Sequence, residues 1–549
     1  MQYIANLSTI MHKAAEEKHD SPSLNRIRGI KTRGEPHRMS ENGNAALYFV
    51  DRHIAEGRAG KTAFREADGE RRSLTYGELA DQTSRFAGAL ARHGVRREER
   101  IAMIVRDQLE FPVVFWGSIK AGAIPVPLNT LLSASVYEEI LRDSRASILV
   151  VSEQLWDTVK PAIQGNRFLR AVVVIGAAPE GCESFEDFVA GAEPMDPVDA
   201  HDDEMAFWLY SSGSTGTPKG VRHVHSSLKA TADTFGSQVL GIREEDVMFS
   251  VAKMFFAYGL GNAMSFPMSV GATTVIFGGR PTPDAVFDIM SRERPTLFCG
   301  VPTLYAALVA EQARSGMPDH CVRLCTSAGE ALPREIGERF EKLWGAEIVD
   351  GVGSTEMLHI FLSNRPGDCV YGTSGVAVPG YEVRLVDEHD EDVGDGGIGE
   401  LLVRGPSSAD GYWNRRHKSR STFEGHWTRT GDKYERTAQG RYVYCGRTDD
   451  MFKVSGIWVS PFEVEQALID HPAVLEAAVV PWMDDKQLEK PKAYVVLQSG
   501  KSVDEAGDLK DFVKEKIGMW KYPRWVEFVD ELPKTATGKI QRFKLRQGA

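Results

Sequence analysis

The sequence predicts an α/β protein: a large N-terminal domain of two α/β subdomains plus an antiparallel β-barrel-like subdomain, followed by a small, mobile α+β C-terminal domain. Three observations predict it. A chain of 549 residues is too long for a single hydrophobic core. From Asn44 to Val349, apolar runs of strand length alternate with stretches of helix length, the pattern of open, mostly parallel sheets covered by helices. From 371 to 445 the pattern changes to short strands and Gly-rich turns such as Asp392-Val-Gly-Asp-Gly-Gly-Ile-Gly399, which suits antiparallel pairing. The expected divisions are an extension over 1–38, the large domain over 39–448 and the small domain over 449–549, with Gly446-Arg-Thr-Asp-Asp450 marking the boundary.

Residues 1–38 carry many charges and few large apolar side chains after Met11, so most of this stretch is expected to be mobile. An upstream start codon and a real but dispensable tail both account for it. There is no secretory h-region. Beyond it, Leu74-Thr-Tyr-Gly-Glu-Leu79 opens an amphipathic helix, with Thr75 as N-cap and Glu78 at capping-box spacing. Ile101–Val105, Ala123–Leu128, Ile148–Val151 and Ala171–Ile175 read as buried strands, and Phe111–Ala121 as a helix. Ala272–Ile276, Leu297–Gly300, Leu324–Ser327 and Glu347–Val349 continue the series of strands. The C-terminal part reads as strand, helix, strand, helix, strand.

Residues 210–221, Tyr-Ser-Ser-Gly-Ser-Thr-Gly-Thr-Pro-Lys-Gly-Val, are the most informative stretch. Gly213, Gly216 and Gly220 alternate with the hydroxyls of Ser211, Ser212, Ser214, Thr215 and Thr217, and Lys219 follows. Glycines let the backbone approach a ligand, and hydroxyls, free N–H groups and an ammonium suit a polyphosphate. Met205–Tyr210 reads as a strand and His225–Thr234 as a helix, which makes a strand–loop–helix unit. It is not a Walker A loop, because Pro218 stands where that motif has Gly before Lys. The stretch resembles the phosphate loop of the adenylate-forming enzymes: acyl-CoA synthetases, luciferases and the adenylation domains of peptide synthetases.

The resemblance extends over roughly 44–546 and implies roles for further motifs. In Asp350-Gly-Val-Gly-Ser-Thr-Glu356, Asp350 would accept from the adenine amino group beside Gly351, Thr355 would bind the α-phosphate and Glu356 would face Mg²⁺. One carboxylate is sufficient where phosphates and water complete a magnesium shell. Ser327-Ala-Gly-Glu-Ala-Leu-Pro333, with Ala328, Gly329 and Glu330, would pack on the adenine. In Thr428-Arg-Thr-Gly-Asp432, Asp432 would bind the ribose diol, and Tyr444 and Arg447 would lie near ribose and phosphate. Lys539, in Pro533-Lys-Thr-Ala-Thr-Gly-Lys-Ile-Gln-Arg542, matches the lysine that approaches carboxylate and α-phosphate during adenylation. Lys453 matches a lysine of the second half-reaction, and Asp449 a hinge between the two steps. His223 and His225 match a frequent His-x-His and are expected to fix local structure.

The run Lys253-Met-Phe-Phe-Ala-Tyr-Gly-Leu-Gly-Asn262, with Thr355-Glu-Met-Leu-His-Ile360, resembles the benzoate-CoA and 4-hydroxybenzoate-CoA ligases. That likeness implies an aryl pocket of Phe256, Ala257, Tyr258, Gly259, Gly353, His359 and Ile360. His359 would either bond a ring hydroxyl or close the pocket's end. Phe256 stands where many relatives carry His, and ordinary core packing is the alternative for Phe255 and Phe256. The implied reaction uses ATP, Mg²⁺ and coenzyme A on a small aromatic carboxylic acid, benzoate or 4-hydroxybenzoate. A ligase for an aminobenzoate, a cinnamate-type or a medium-chain fatty acid, a luciferase-like oxygenase and a non-catalytic sensor are the competing readings. The presence of both Glu356 and Lys539 argues against the sensor.

Composition sets the remaining bounds. Hydrophobic content of 42% and charged content of 26% are those of an ordinary globular protein. A formal net charge of −12 argues against nucleic-acid binding. Six scattered cysteines without a metal-site pattern read as buried, reduced thiols, which fits a cytoplasmic location. No apolar run is long enough for membrane insertion. No carrier-protein attachment site follows the small domain, which makes coenzyme A the expected acceptor, and a homodimer is compatible with the sequence.

Overall fold

The computed structural model describes residues 42–212, 218–448, 450–454, 457–485, 488–498, 500–502, 504, 508–519, 521–534 and 540–546. The extension over 1–38 lies outside them. The first α/β layer is a five-stranded parallel sheet in the order Ile124–Pro127, Arg100–Ile104, Ile148–Ser152, Ala171–Ile175, Glu183–Ser184. Its strands are apolar on both faces because helices cover both. One of these helices, Tyr76–Arg92, begins at the expected capping box of Thr75 and Glu78. It packs on the wholly buried helix Glu110–Lys120.

The second layer is a nine-stranded sheet. It is parallel from Ile348–Gly353 through Leu324–Ser327, Leu297–Gly300, Val247–Ser250 and Thr273–Ile276 to Thr62–Glu66, and antiparallel at both edges. The strand expected at Glu347–Val349 runs on to Gly353, so the Asp350 motif begins inside the sheet.

A separate three-stranded sheet is built on an antiparallel hairpin, Met205–Ser212 with Pro218–Val224, joined on its outer edge by Gly411–Tyr412. The phosphate-loop stretch is therefore a strand–loop–strand–helix unit, not the strand–loop–helix expected. Pro218 is the first residue of the return strand, one of the few strand positions proline tolerates. Ser211 then pairs with Lys219 and Tyr210 with Gly220. The part after 371 is a five-stranded antiparallel sheet of Glu382–Val386, Ile398–Arg404, Phe423–Glu424, Trp427–Arg436 and Tyr442–Arg447.

The C-terminal residues form a two-stranded sheet, Phe452–Val454 with Ile457–Val459, and a three-stranded sheet of Val474–Met483, Glu489–Leu497 and Trp525–Phe528. They close on hydrophobic clusters of their own. Among the described residues no helix is long and apolar enough to cross a membrane. All six cysteines are free, but they are not all buried. Cys299, Cys325 and Cys445 are, Cys182 and Cys369 are half-buried, and Cys321 is exposed on the connection into strand Leu324–Ser327.

Candidate active site

The carboxyl ends of the parallel strands Leu297–Gly300, Leu324–Ser327 and Ile348–Gly353 lie side by side, where open α/β sheets hold ligands. Ser327 pairs with Asp350 across two of them. Asp350 is buried, and burial pushes its carboxyl up to about 8. Its Oδ1 has no hydrogen-bond partner among the described residues, as has Ser211 Oγ on the phosphate hairpin. Buried polar atoms without a protein partner call for an explanation, and a bound ligand supplies one. Ala328 is buried, Gly329 has a positive φ of 98° and Glu330 is exposed, so this segment turns outward at the strand end.

The strand end leads into Gly353–Ile360, which folds back antiparallel on itself through the pair Gly353–Ile360. A Cβ at Gly353 would lie 2.5 Å from the His359 carbonyl oxygen, so only glycine fits this turn. Thr355 and Glu356 stand on the turn. His223 Nε2 donates to the Thr355 carbonyl at 2.8 Å, and the Ala409 N–H donates to the Glu356 carbonyl at 2.8 Å. The Glu356 carboxylate accepts from the Tyr412 hydroxyl at 2.8 Å. Lys219 Nζ lies 4.6 Å from the centroid of the same tyrosine ring. Burial lowers the Lys219 pKa and the nearby Glu356 opposes it. The hairpin lysine and the carboxylate therefore meet around Tyr412.

Asp432 carries an ion pair with Arg447 at 2.9 Å, and Arg447 also donates to the Thr430 carbonyl at 3.0 Å. Tyr444 stacks edge-on against Tyr434 on one side and against Phe462 on the other, the latter at 5.1 Å. Strand Tyr442–Arg447 thus lies against the first helix of the C-terminal part, Pro461–Ile469.

The aromatic run reaches the carboxyl end of strand Leu297–Gly300 through Tyr258. Phe255 is buried in the core, as the packing alternative required, whereas Phe256, Ala257 and Tyr258 are half-buried. Tyr258 donates to the Gly300 carbonyl at 3.2 Å. His359 Nε2 donates to the Tyr258 carbonyl at 3.3 Å, and its ring is packed among Tyr258, Phe235 and Phe266. Burial drives the His359 pKa down to about 3, so the imidazole is neutral. A Cβ at Gly259 would lie 2.1 Å from the Lys253 carbonyl oxygen. Lys253 itself is tied to the Phe277 and Gly279 carbonyls, and Asp107 Oδ1 accepts from the Met254 N–H at 3.1 Å. These contacts hold the run against the sheet. Ile360 is buried behind it.

Six expected site residues, Gly213, Ser214, Thr215, Gly216, Asp449 and Lys539, lie outside the described residues, and Ser212 and Lys453 are described by their backbone alone. Lys453 pairs with Trp458 in the two-stranded sheet, and Lys534 bridges Ile540 on either side of 535–539. The sequence motifs omit Tyr412. Its only local signal is the Gly-Tyr-Trp run at 411–413, which carries no period or spacing that points to a site.

Residues 51–413 match the AMP-binding enzyme family and residues 463–539 the AMP-binding enzyme C-terminal domain. The chain belongs to the AMP-binding enzyme family. More particularly, it is 52% identical to the 4-hydroxybenzoate–CoA/benzoate–CoA ligase of Rhodopseudomonas palustris, covering 92% of this chain and 94% of that one. It is 51% identical to the benzoate–CoA ligase of Thauera aromatica, covering 93% and 97%. The solved structure of a benzoate CoA ligase from Burkholderia xenovorans superposes with a TM-score of 0.84 at 48% identity, covering 92% of this chain and all of that one (100%). That of an anthranilate CoA ligase in complex with anthranoyl-AMP gives 0.87 at 42% identity, covering 93% and 98%.

Proposed function

We propose that this chain is an AMP-forming aryl carboxylate:CoA ligase that activates benzoate or 4-hydroxybenzoate. The observation that carries the reading is the meeting of Lys219 and Glu356 around Tyr412. The identities to benzoate–CoA and 4-hydroxybenzoate–CoA ligases support the substrate class.

In the first half-reaction a carboxylate oxygen attacks the α-phosphorus of ATP, and the bond to pyrophosphate breaks. Lys219, Thr355 and Lys539 place positive charge and donors around the phosphates, which lowers the cost of the charge that develops. Asp350 Oδ1 is the acceptor available to the adenine amino group, and Asp432 the one that takes the ribose diol. Glu356 suits Mg²⁺. Glu356 would supply one carboxylate to such a cation, and phosphates and water would complete its shell. That ion would neutralise phosphate charge. In the second half-reaction the thiol of coenzyme A, having lost its proton, attacks the acyl carbon and AMP leaves. Lys453 serves this step, and Asp449 is the pivot between the two. Phe256, Ala257, Tyr258, Gly259, Gly353, His359 and Ile360 enclose the ring.

Pyrophosphate exchange against benzoates, aminobenzoates, cinnamates and fatty acids, followed by thioester formation with coenzyme A, tests the proposal. Benzoate or 4-hydroxybenzoate is expected to exchange fastest. Faster turnover of palmitate than of any benzoate would sink the aryl assignment.

A further inference from the structure

Tyr412 lies in none of the motifs discussed above, yet it touches two of them. It is buried at 4% exposure. Its backbone pairs with Val221 of the phosphate hairpin, the Ser419 hydroxyl accepts from its N–H at 3.0 Å, and the next residue, Trp413, donates to the Gly220 carbonyl at 2.8 Å. The ring is backed by Phe423 at 5.3 Å. The backbone at Tyr412 is therefore held by its neighbours and the ring is backed by Phe423. Its hydroxyl then reaches one oxygen of Glu356, and its face carries Lys219.

We infer that Tyr412 is a positioning residue that sets the spacing between the metal-facing carboxylate of Glu356 and the phosphate-facing ammonium of Lys219. The inference rests on the roles proposed above for those two residues. A carboxylate is free to rotate about its last bond. A donor fixed on one oxygen stops that rotation and would leave the other oxygen free to hold a cation, as outer partners of metal ligands do. The same ring presents its negative face to the ammonium and limits where Lys219 can go. The Ala409 N–H on the Glu356 carbonyl comes from the same segment, so residues 409–413 hold both the backbone and the side chain of Glu356.

The test compares wild type, Tyr412→Phe, Tyr412→Leu and Glu356→Gln. Mn²⁺ binding is titrated by electron paramagnetic resonance with a non-hydrolysable ATP analogue present, and the Mg²⁺ dependence of pyrophosphate exchange is measured in parallel. Tyr412→Phe keeps the ring and loses the hydroxyl. It is expected to weaken Mn²⁺ binding roughly tenfold and raise the half-saturating Mg²⁺ by a similar factor, with the KM for the aryl acid and the melting temperature nearly unchanged. Tyr412→Leu is expected in addition to weaken metal-free binding of the analogue, because Lys219 loses its support. A Tyr412→Phe titration that overlays wild type while Glu356→Gln weakens binding would overturn the inference. If Glu356→Gln also leaves Mn²⁺ binding unchanged, the metal assignment of Glu356 falls instead, and this inference with it.

Discussion

His223 donates its Nε2–H to the Thr355 carbonyl while its ring stacks on Phe207 at 5.1 Å. The carbonyl can only accept, so Nε2 carries a proton. Burial lowers the pKa values of His53, His223 and His225 to about 4 and that of His359 to about 3. A depressed folded pKa gives a definite sign. The unfolded chain takes a proton on each imidazole below about 6.5 and the folded chain does not, so this stability is complete above that pH and is lost as pH falls toward 4. Asp107, raised to about 6, and Asp350, raised to about 8, act in the opposite sense, and their contribution fades as pH rises through those values. His223→Leu is expected to reduce the loss of stability between pH 7 and pH 5 by about 2 kcal/mol, measured by urea denaturation at the two pH values. An unchanged difference would mean that His223 is protonated in the folded protein.

At the scale of elements, the legible features were those fixed by local chemistry. Thr75 and Glu78 announced the start of helix Tyr76–Arg92, and runs such as Ile148–Val151 announced central parallel strands, because cap spacing and continuous apolar character are sequence-local. The return strand Pro218–Val224 was not legible. Its Pro and Gly read as loop, and it is held by pairing with Met205–Ser212 and Gly411–Tyr412, the latter almost two hundred positions away (412 − 221 = 191 for one pair). Tyr412 escaped for the same reason, since it is the pairing of its own strand with the hairpin that brings it beside Lys219. The aromatic run was legible only through its likeness to aryl ligases, yet its backbone is tightly specified, as Gly259 against the Lys253 carbonyl illustrates. This rigidity supports a prediction for the short helix Ala257–Leu260. Ala257→Leu replaces a methyl with an isobutyl group on a turn that cannot move away, and overpacking of this kind costs about 1–3 kcal/mol. The variant is expected to lose benzoate-dependent pyrophosphate exchange while binding ATP as before. A wild-type substrate profile would place Ala257 outside the pocket.

At the scale of the whole molecule, the proposed function asks one site to perform two reactions with two lysines from the same small C-terminal part. Lys453 stands on strand Phe452–Val454 and Lys539 follows far along the chain, between the bridged residues Lys534 and Ile540. The contact of Tyr444 with Phe462 and the ion pairs of Asp450 with Arg542 and Arg546 lie around the proposed pivot. A single rigid arrangement would need room for the departing pyrophosphate and the arriving thiol together. The proposed rotation about a few residues would remove that conflict, with one lysine leaving as the other arrives. Separable defects follow. Lys539→Ala is expected to slow adenylation by roughly 10²–10³-fold, the scale for removing one preorganised charge, while still converting a supplied aryl-adenylate and coenzyme A to the thioester. Lys453→Ala is expected to form the adenylate at the wild-type rate and to be slow with coenzyme A. Asp449→Pro, which fixes φ at the pivot, is expected to behave like Lys453→Ala when the adenylating arrangement is the one trapped. Single-turnover measurements of each half-reaction decide the matter. Equal loss of both steps in Lys539→Ala would rule out the division of labour and leave Lys539 a general binding residue.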